Sequence, residues 1–238
     1  MKIDFNEEKH EYMVGGVHIP SVSEILSPLN ADRYGEINRE VLRSAAERGK
    51  AVHEICEAID YDIFTSEMED EMPPELEGYV DAYFQFLFDH DVYWEMVEQI
   101  VSFSRFDGEL PLYCGTIDRF GIVDGRKAVV DIKTYASMTT EAQMTASCQT
   151  ALYRDAIIAK PTITGVSGET IDTDSLKHDD EEIPARFILH LKKDGKYRLI
   201  DLANFDYNRG WSGATVAGEL LHLYYEKQTA LAGKKGKK

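Results

Sequence analysis

Three charged residues on two neighbouring predicted strands form the most informative chemical pattern in this chain of 238 residues. Asp131 and Lys133 flank Ile132, and because a strand alternates its faces, both charged side chains project to the same side. A turn at residues 124–125 would bring Asp118 back beside Asp131 on an antiparallel strand. Two carboxylates this close repel each other unless a cation joins them, and their hard oxygen atoms suit Mg²⁺ or Mn²⁺. The pattern therefore predicts a metal site, with an ordinary surface ion pair as the alternative.

Two predicted helices carry further polar side chains at spacings that place them along one face. Gly49, His53 and Glu57 follow one another at intervals of four residues, and the missing side chain of Gly49 leaves room for a ligand. Gln149 and Tyr153 have the same interval on a later helix. The alternatives are a surface His–Glu pair on the first helix and an exposed Gln beside a core Tyr on the second. Both helices are candidates for completing the site.

Composition and cysteine usage exclude several classes of protein. With 43% hydrophobic and 29% charged residues, the chain is expected to be a soluble globular protein. Cys56, Cys114 and Cys148 are widely separated, which argues against a disulfide framework and against a cysteine-ligated zinc or iron–sulfur site. The N-terminus lacks the apolar run of a signal peptide, and no stretch approaches the roughly 18 apolar residues of a membrane span. We expect a cytoplasmic protein that makes no membrane contact.

Negative charge is concentrated in one part of the chain. The formal net charge is -17, and residues 54–98, here called the acidic segment, hold fifteen Asp and Glu residues with no Lys or Arg. An acidic total argues mildly against nucleic-acid binding, which depends on Lys and Arg. The rest of the chain carries a net charge of only -2, so a polarised surface is expected. The acidic segment is interpreted either as a solvated face or as a patch that binds another protein.

Hydrophobic periodicity and turn residues predict the elements that position these side chains. Apolar residues at helical spacing predict two long helices, residues 39–59 and 74–89, with an acidic loop over 60–74. A polar insertion with at most one short strand, 162–184, and a disordered basic tail, 233–238, are also expected. The other predicted elements are a hairpin of 10–14 and 17–19, a short helix from a capping box at 21–24 to residue 26, strands 98–103, 112–120 and 128–133, a helix 139–159, a hairpin of 187–191 and 197–200, and a helix 211–227.

Four short motifs occur in an informative order on these elements. They are Arg48-Gly49-Lys50-Ala51-Val52-His53 on a helix, Gly115-Thr116-Ile117-Asp118 and Asp131-Ile132-Lys133-Thr134 on strands, and Gln149-Thr150-Ala151-Leu152-Tyr153 on a helix. Each motif is weak alone, but together they resemble the RecB-like and Cas4-like branch of the PD-(D/E)xK nuclease superfamily. Residues 12–26 also resemble the opening of phage-type exonucleases of this group. The resemblance covers about residues 10–160 and the hairpin at 186–201.

The resemblance implies a fold and a domain organisation. It implies an α/β (α+β) protein with a central mixed sheet flanked by helices. This would be a restriction-endonuclease-like core with an N-terminal hairpin and helical additions. A single nuclease domain would span residues 1–232, with its core at about 39–201.

The resemblance also implies a metal centre that holds one or two Mg²⁺ or Mn²⁺ ions. Asp118, Asp131 and the backbone carbonyl of Ile132 would bind the metal, and His53 would complete or flank the site. Glu57 would be an additional ligand or the neighbour of one. No iron–sulfur cluster is expected, because Cas4-like relatives use four cysteines for it.

The remaining motif residues would act on the substrate. Lys133 would orient or activate the attacking water and neutralise charge on the phosphate, while Gln149 and Tyr153 would shape the pocket. The expected function is metal-dependent hydrolysis of single- or double-stranded DNA. The expected enzyme is an exonuclease of phage or bacterial recombination or repair, in a bacterial or phage-infected cell.

Two other functions are compatible with the sequence. A catalytically idle nuclease fold would act as a scaffold and bind a recombination or replication protein through the acidic segment. Alternatively, the acidic surface would mimic DNA and sequester a basic protein. That last hypothesis explains the charge but not the four motifs.

Overall fold

A computed structural model describes residues 2–7, 9–34, 38–106, 108–159, 163–164, 170–171 and 183–235. Within them, helices pack on both faces of a mixed sheet, and a small antiparallel sheet is formed by the N-terminal strands. The strands are β1 (Asp4–Asn6), β2 (Glu11–Val14), β3 (Val17–Ile19), β4 (Val92–Phe103), β5 (Tyr113–Val123), β6 (Arg126–Lys133), β7 (Ile163–Thr164), β8 (Thr170–Ile171), β9 (Ala185–Leu191) and β10 (Tyr197–Asp201). The helices are α1 (Val22–Ile25), α2 (Ser27–Tyr34), α3 (Arg39–Asp60), α4 (Ser66–Glu71), α5 (Pro74–Asp89), α6 (Thr140–Ile158), α7 (Leu202–Arg209) and α8 (Gly213–Lys235).

The main sheet has the strand order β10-β9-β6-β5-β4-β7-β8, in which β7 and β8 are only two residues long. Strands β4, β5 and β6 are antiparallel neighbours, and Asp124 and Gly125 form the tight turn between β5 and β6 with positive φ angles of 50° and 77°. Strand β9 pairs in parallel with β6 after the chain has crossed over through α6. The predicted mixed sheet with flanking helices is therefore confirmed.

Each face of the sheet is covered by its own apolar core. On one face, Val129 of β6 packs in a cluster with Leu152 of α6. On the opposite face, Val130 packs in a cluster with Val52 of α3. Strand β6 is therefore buried on both sides, which accounts for its unbroken apolar run. Alternation places Asp131 on the same side as Val129, toward α6.

The N-terminal elements largely follow the sequence pattern. The predicted hairpin is formed by β2 and β3, and Gly15 and Gly16 adopt the positive φ angles of 56° and 81° that its turn requires. The capping box is present, because the Ser21 side chain accepts from the Glu24 backbone N–H while the Glu24 carboxylate accepts from Ser21 N. Strand β1, which the sequence analysis did not predict, pairs with β2.

The prediction that residues 60–74 form only a loop is wrong. They contain the short helix α4, which begins where the Thr65 side chain accepts a hydrogen bond from Met68 N. None of its residues is buried, so it has no apolar periodicity from which it could have been recognised. Strand β4 is also longer than predicted and begins at Val92 rather than at residue 98.

The C-terminal part differs from the prediction in two places. Helix α7 was not predicted, and Asp201 caps it by accepting from Ala203 N and Asn204 N. Helix α8 extends to Lys235, so the predicted disorder is wrong for 233–235, while 236–238 lie outside the described residues.

Most of the predicted insertion at 162–184 lies outside the described residues, which include only β7, β8 and its last two positions. The three cysteines are buried and form no disulfide. Among the described helices, none combines the length and the apolar character needed to cross a membrane.

Candidate metal centre

The structure brings the three charged residues of the strand pattern together. Lys133 Nζ donates to Asp131 Oδ1 over 2.6 Å, and Ile132 N donates to Asp118 Oδ2 over 2.7 Å. The first contact results from strand alternation, and the second from the antiparallel pairing of β5 with β6. The two aspartates are buried, and the Lys133 side chain is only 15% exposed. This burial makes the surface ion pair, the alternative for this pattern, a poor description of the site.

His53 reaches the same site from α3. Its Nε2 donates to the backbone oxygen of Ile132 over 3.1 Å, and its Nδ1 donates to Glu98 Oε1 over 3.2 Å. Both partners are acceptors, so the two hydrogen bonds form together only when the ring is protonated. Burial by itself lowers the pKa of His53, but the charges of Asp118 and Glu98 outweigh burial and raise it.

Glu98 is the site residue that the sequence analysis missed. One oxygen of Glu98, one of Asp118 and a ring nitrogen of His53 all lie within 4.8 Å of one another, an arrangement that could hold a metal ion. Burial raises the pKa of Glu98, but the hydrogen bond from His53 and the charge of Arg119 outweigh burial and lower it. In the sequence, no spacing distinguishes Glu98 from the other acids of the acidic segment.

A buried arginine, Arg119, donates a hydrogen bond to the Glu98 carboxylate. Arg119 Nη1 donates to Glu98 Oε1 over 3.0 Å and to the backbone oxygen of Asp118 over 2.6 Å. Its Nε donates to Asp60 Oδ2, and Asp60 also accepts from Tyr83 Oη. The Arg119 side chain has no solvent exposure, so its hydrogen bonds fix the Glu98 carboxylate against the site.

Asp131 and Lys133 have strongly perturbed protonation equilibria. Burial raises the pKa of Asp131 to about 6, and the charge of Asp118 adds to this effect while that of Lys133 opposes it. Burial lowers the pKa of Lys133, but Asp131 and Asp118 outweigh it and raise that pKa far above its ordinary value. Asp131 Oδ2 is buried and has no hydrogen-bond partner among the described residues.

Gln149 and Tyr153 of α6 stand beside this ion pair. Gln149 Nε2 donates to Tyr153 Oη over 3.3 Å, and Lys133 Nζ approaches Gln149 Oε1 at 3.5 Å. The ring of Tyr153 lies close to Gly115, where an added Cβ atom would come within 2.6 Å of Tyr153 Cε1. This close approach shows that the strand with the Gly-x-x-Asp motif packs directly against the helix with the Gln-x-x-x-Tyr motif.

The other two predicted helix residues occupy the edge of the site. Glu57 lines a cavity that His53, Glu98 and Asp118 also line, but it lies outside the cluster formed by those three residues. Burial and the charge of Glu98 raise the pKa of Glu57. Gly49 faces Thr134, at a distance where an added Cβ atom would be 3.6 Å from Thr134 Oγ1. An ordinary contact of this kind does not require a glycine, so the structure gives no packing reason for Gly49.

The cavity above the cluster has a volume of about 440 Å³ and is lined by Phe5, Glu7, His10, Ser23, Lys50, His53, Glu54, Glu57, Glu98, Thr116, Asp118, Gln149 and Tyr153. A larger, mostly apolar cavity of about 1170 Å³ lies between the N-terminal part of α3 and the start of α6. None of the clustered acids, His53 or Lys133 lines it. The smaller cavity is therefore the candidate site.

Neither models of known protein families nor curated protein sequences match this chain. The site is therefore interpreted from its geometry and from the four motifs.

Proposed function

We propose that this chain is a metal-dependent DNA nuclease of the RecB-like branch of the PD-(D/E)xK superfamily, most simply an exonuclease of phage or bacterial DNA recombination or repair. The observation that carries the proposal is the buried convergence of Asp118, Asp131 and Lys133, with His53 and Glu98 within reach. Such a set of acids beside a lysine is costly to bury and is suited to phosphodiester hydrolysis. In this proposal, one domain spans residues 1–232.

The chemistry of the donors fits Mg²⁺ or Mn²⁺. Glu98, Asp118 and Asp131 offer carboxylate oxygens. Ile132 offers a carbonyl oxygen that is hydrogen-bonded to His53. The unpartnered Oδ2 atom of Asp131 is a buried acceptor that a cation would satisfy. We assign one ion to His53, Glu98 and Asp118, whose donor atoms lie within 4.8 Å of one another, while Asp131 lies outside that cluster. Glu57 at the cavity edge would assist a second ion.

The chain's own residues then divide the work of hydrolysis. A divalent ion at this site would lower the pKa of a bound water and stabilise charge on the phosphate. Lys133 would orient or activate the attacking water and neutralise charge on the phosphate. Tyr153 and Gln149 hold Lys133 from the α6 side. Arg119 keeps Glu98 ionised and in place.

Cleavage of end-labelled DNA tests this function. Linear and covalently closed circular DNA, each single- and double-stranded, would be incubated with Mg²⁺, Mn²⁺ or EDTA. We expect metal-dependent loss of linear DNA only, and a loss of rate of about 10²-fold or more in Lys133→Ala. Lys196→Ala is the matched control, because Lys196 is exposed and pairs only with Asp194 among the described residues. Full cleavage by Lys133→Ala would refute the assigned mechanism, and cleavage of circles would make the enzyme an endonuclease.

A second function, binding of a basic protein partner, is favoured by a specific surface of the acidic segment. Phe84 and Phe88, one turn apart on α5, are 44% and 86% exposed, and Asp81 lies beside them. Apolar side chains within an acidic surface suit a partner segment that combines Lys or Arg with apolar anchors. We propose that a recombination or replication protein with such a segment binds here, either beside the nuclease activity or, in an idle scaffold, instead of it.

Binding of a fluorescent amphipathic Leu/Lys helical peptide tests this surface. We expect binding that weakens about tenfold or more in the double variant Phe84→Ser, Phe88→Ser. Phe106→Ser is the control, because Phe106 is 68% exposed, between the values of Phe84 and Phe88, but lies outside the acidic segment. Equal binding by both variants would rule out this surface, and absence of DNA cleavage together with peptide binding would favour the scaffold.

A further inference from the structure

Part of the wall of the candidate cavity is aromatic. It is formed by the small N-terminal sheet, from which Phe5 and His10 line the same cavity as His53 and Asp118. The Phe5 ring stacks on Tyr12 at 4.7 Å between centroids, and the His10 ring meets Phe5 edge-on at 5.4 Å. The Phe5 ring, with Tyr12 stacked on it and His10 nearly perpendicular to it, therefore provides an aromatic surface at the cavity that His53 and Asp118 also line.

This surface is fixed to the strand that carries Asp118. Tyr12 is fully buried, and its hydroxyl shares a hydrogen bond of 2.9 Å with Thr116 Oγ1, two residues before Asp118 on β5. Cys114 N also donates to the Pro20 backbone oxygen over 3.0 Å, which ties the end of the small sheet to the start of β5. The aromatic rings and the metal ligands are consequently held at a constant separation.

The charges in the cavity decide which part of a nucleotide faces this wall. Glu7, Glu54 and Glu57 line the cavity. Lys50 is already paired with Glu7 at 2.6 Å and with Glu54 at 3.7 Å. A phosphate would be repelled here, whereas a neutral base can stack on Phe5, because every base has a π face. The volume of about 440 Å³ is in the range of sites for one small ligand, not for a duplex.

We propose that the Phe5 ring stacks the terminal, unpaired nucleobase of a DNA strand, with His10 edge-on beside it, while the adjoining phosphodiester lies at the metal ligands. This inference rests on the proposed nuclease function and deepens it, since it makes a free single-stranded end the substrate. It also assigns the N-terminal sheet a direct role in binding. A circle has no terminal base to place on this wall.

Oligonucleotide binding with a terminal base analogue tests the platform. In the Lys133→Ala background with Mg²⁺, 2-aminopurine at each end in turn would be compared with 2-aminopurine in the middle of a single strand. We expect a fluorescence change for one end only. An oligonucleotide with an abasic site at that end should bind about tenfold more weakly than the intact one.

The variants Phe5→Ala and Phe5→Leu separate stacking from folding. Both should remove the tenfold preference for the intact end, although Leu retains an apolar contact with Tyr12 and so protects the fold. Phe106→Ala, an exposed aromatic residue outside the cavity, should keep the preference. Retention of the preference by folded Phe5→Leu, or equal signals from terminal and internal bases, would overturn the platform.

Hydrolysis of bis(p-nitrophenyl) phosphate by the wild-type protein reports the metal centre separately, because this diester has no nucleobase. Metal-dependent hydrolysis combined with equal binding of intact and abasic ends would overturn the platform and leave the nuclease proposal intact. Failure to hydrolyse either this diester or DNA would refute the nuclease proposal itself. Hydrolysis with a clear terminal-base preference would support both.

Discussion

Glu98 has a backbone conformation that glutamate rarely adopts, with a φ angle of +48°. Such conformations cost about 1–3 kcal/mol and persist only where the surroundings impose them. Here the surroundings are His53 and Arg119, which both donate hydrogen bonds to Glu98 Oε1. In this conformation the Glu98 carboxylate lies within 4.8 Å of Asp118 and His53. This geometry is the physical reason to test Glu98 as a metal ligand.

Replacing Glu98 with Gln should weaken metal binding while leaving the fold intact. The amide keeps the shape of the side chain but removes the negative charge, so the affinity for Mn²⁺ should fall about 10–100-fold. Isothermal titration calorimetry would measure it. Glu95→Gln is the matched control on the same strand, because Glu95 pairs with Lys127 instead of the site. Equal Mn²⁺ affinities in the two variants would remove Glu98 from the metal centre.

Metal affinity should also depend on pH through His53. A raised pKa means that the imidazolium persists to a higher pH, and a metal must displace its proton before the ring can bind. As pH falls from about 8 toward the ordinary histidine pKa of 6.5, the apparent Kd for Mn²⁺ should rise, by up to about tenfold per pH unit. Titrations at several pH values would show this slope. His53→Asn should flatten it, and a pH-independent Kd in the wild type would exclude His53 as a ligand.

At the scale of elements, the helices and strands with a clear apolar pattern could be predicted from the sequence, whereas an element without buried apolar residues could not. Helices α3 and α5 have apolar residues at regular spacing because each buries a defined face, and strand β6, which is buried on both faces, has an unbroken apolar run. Their positions could therefore be read from the sequence. Helix α4 buries no residue and therefore lacks that signal. The site shows the same contrast, since Asp131 and Lys133 are local in sequence, whereas Glu98 reaches them only through the pairing of β4 with β5.

The contact between β5 and α6 predicts an intolerance at Gly115. Because an added Cβ atom would lie 2.6 Å from the Tyr153 ring, Gly115→Ala must displace that ring or the strand. We expect a loss of about 1–3 kcal/mol in the free energy of unfolding and reduced cleavage. Urea denaturation would measure the stability.

Gly218→Ala provides the control for this prediction. Gly218 lies on α8 with nothing within 4 Å of an added Cβ atom, so alanine should be neutral or stabilise by up to about 1 kcal/mol. If Gly115→Ala were as stable and as active as Gly218→Ala, the packing of Tyr153 on β5 would not constrain the site.

At the scale of the whole molecule, the charge distribution sets a barrier to DNA. The chain has a net charge of -17, and the acidic segment begins on α3 beside His53 and continues through α4 and α5. Both DNA and this part of the surface are negative, so their approach is opposed at low ionic strength. The short-range attraction of a metal-loaded site therefore has to act against a long-range repulsion.

Neutralising part of α4 should therefore speed the reaction on DNA. In the triple variant Glu69→Gln, Asp70→Asn, Glu71→Gln, no buried residue changes, because α4 contains none. We expect kcat/KM on DNA to rise about two- to fivefold at about 20 mM salt, and the gain to vanish at about 0.3 M, where charges are screened within several ångströms. Met68→Gln, in the same helix, should leave the rate unchanged at both salt concentrations. A slower triple variant would show instead that these acids support substrate binding, because removing a repulsion cannot reduce the rate of encounter.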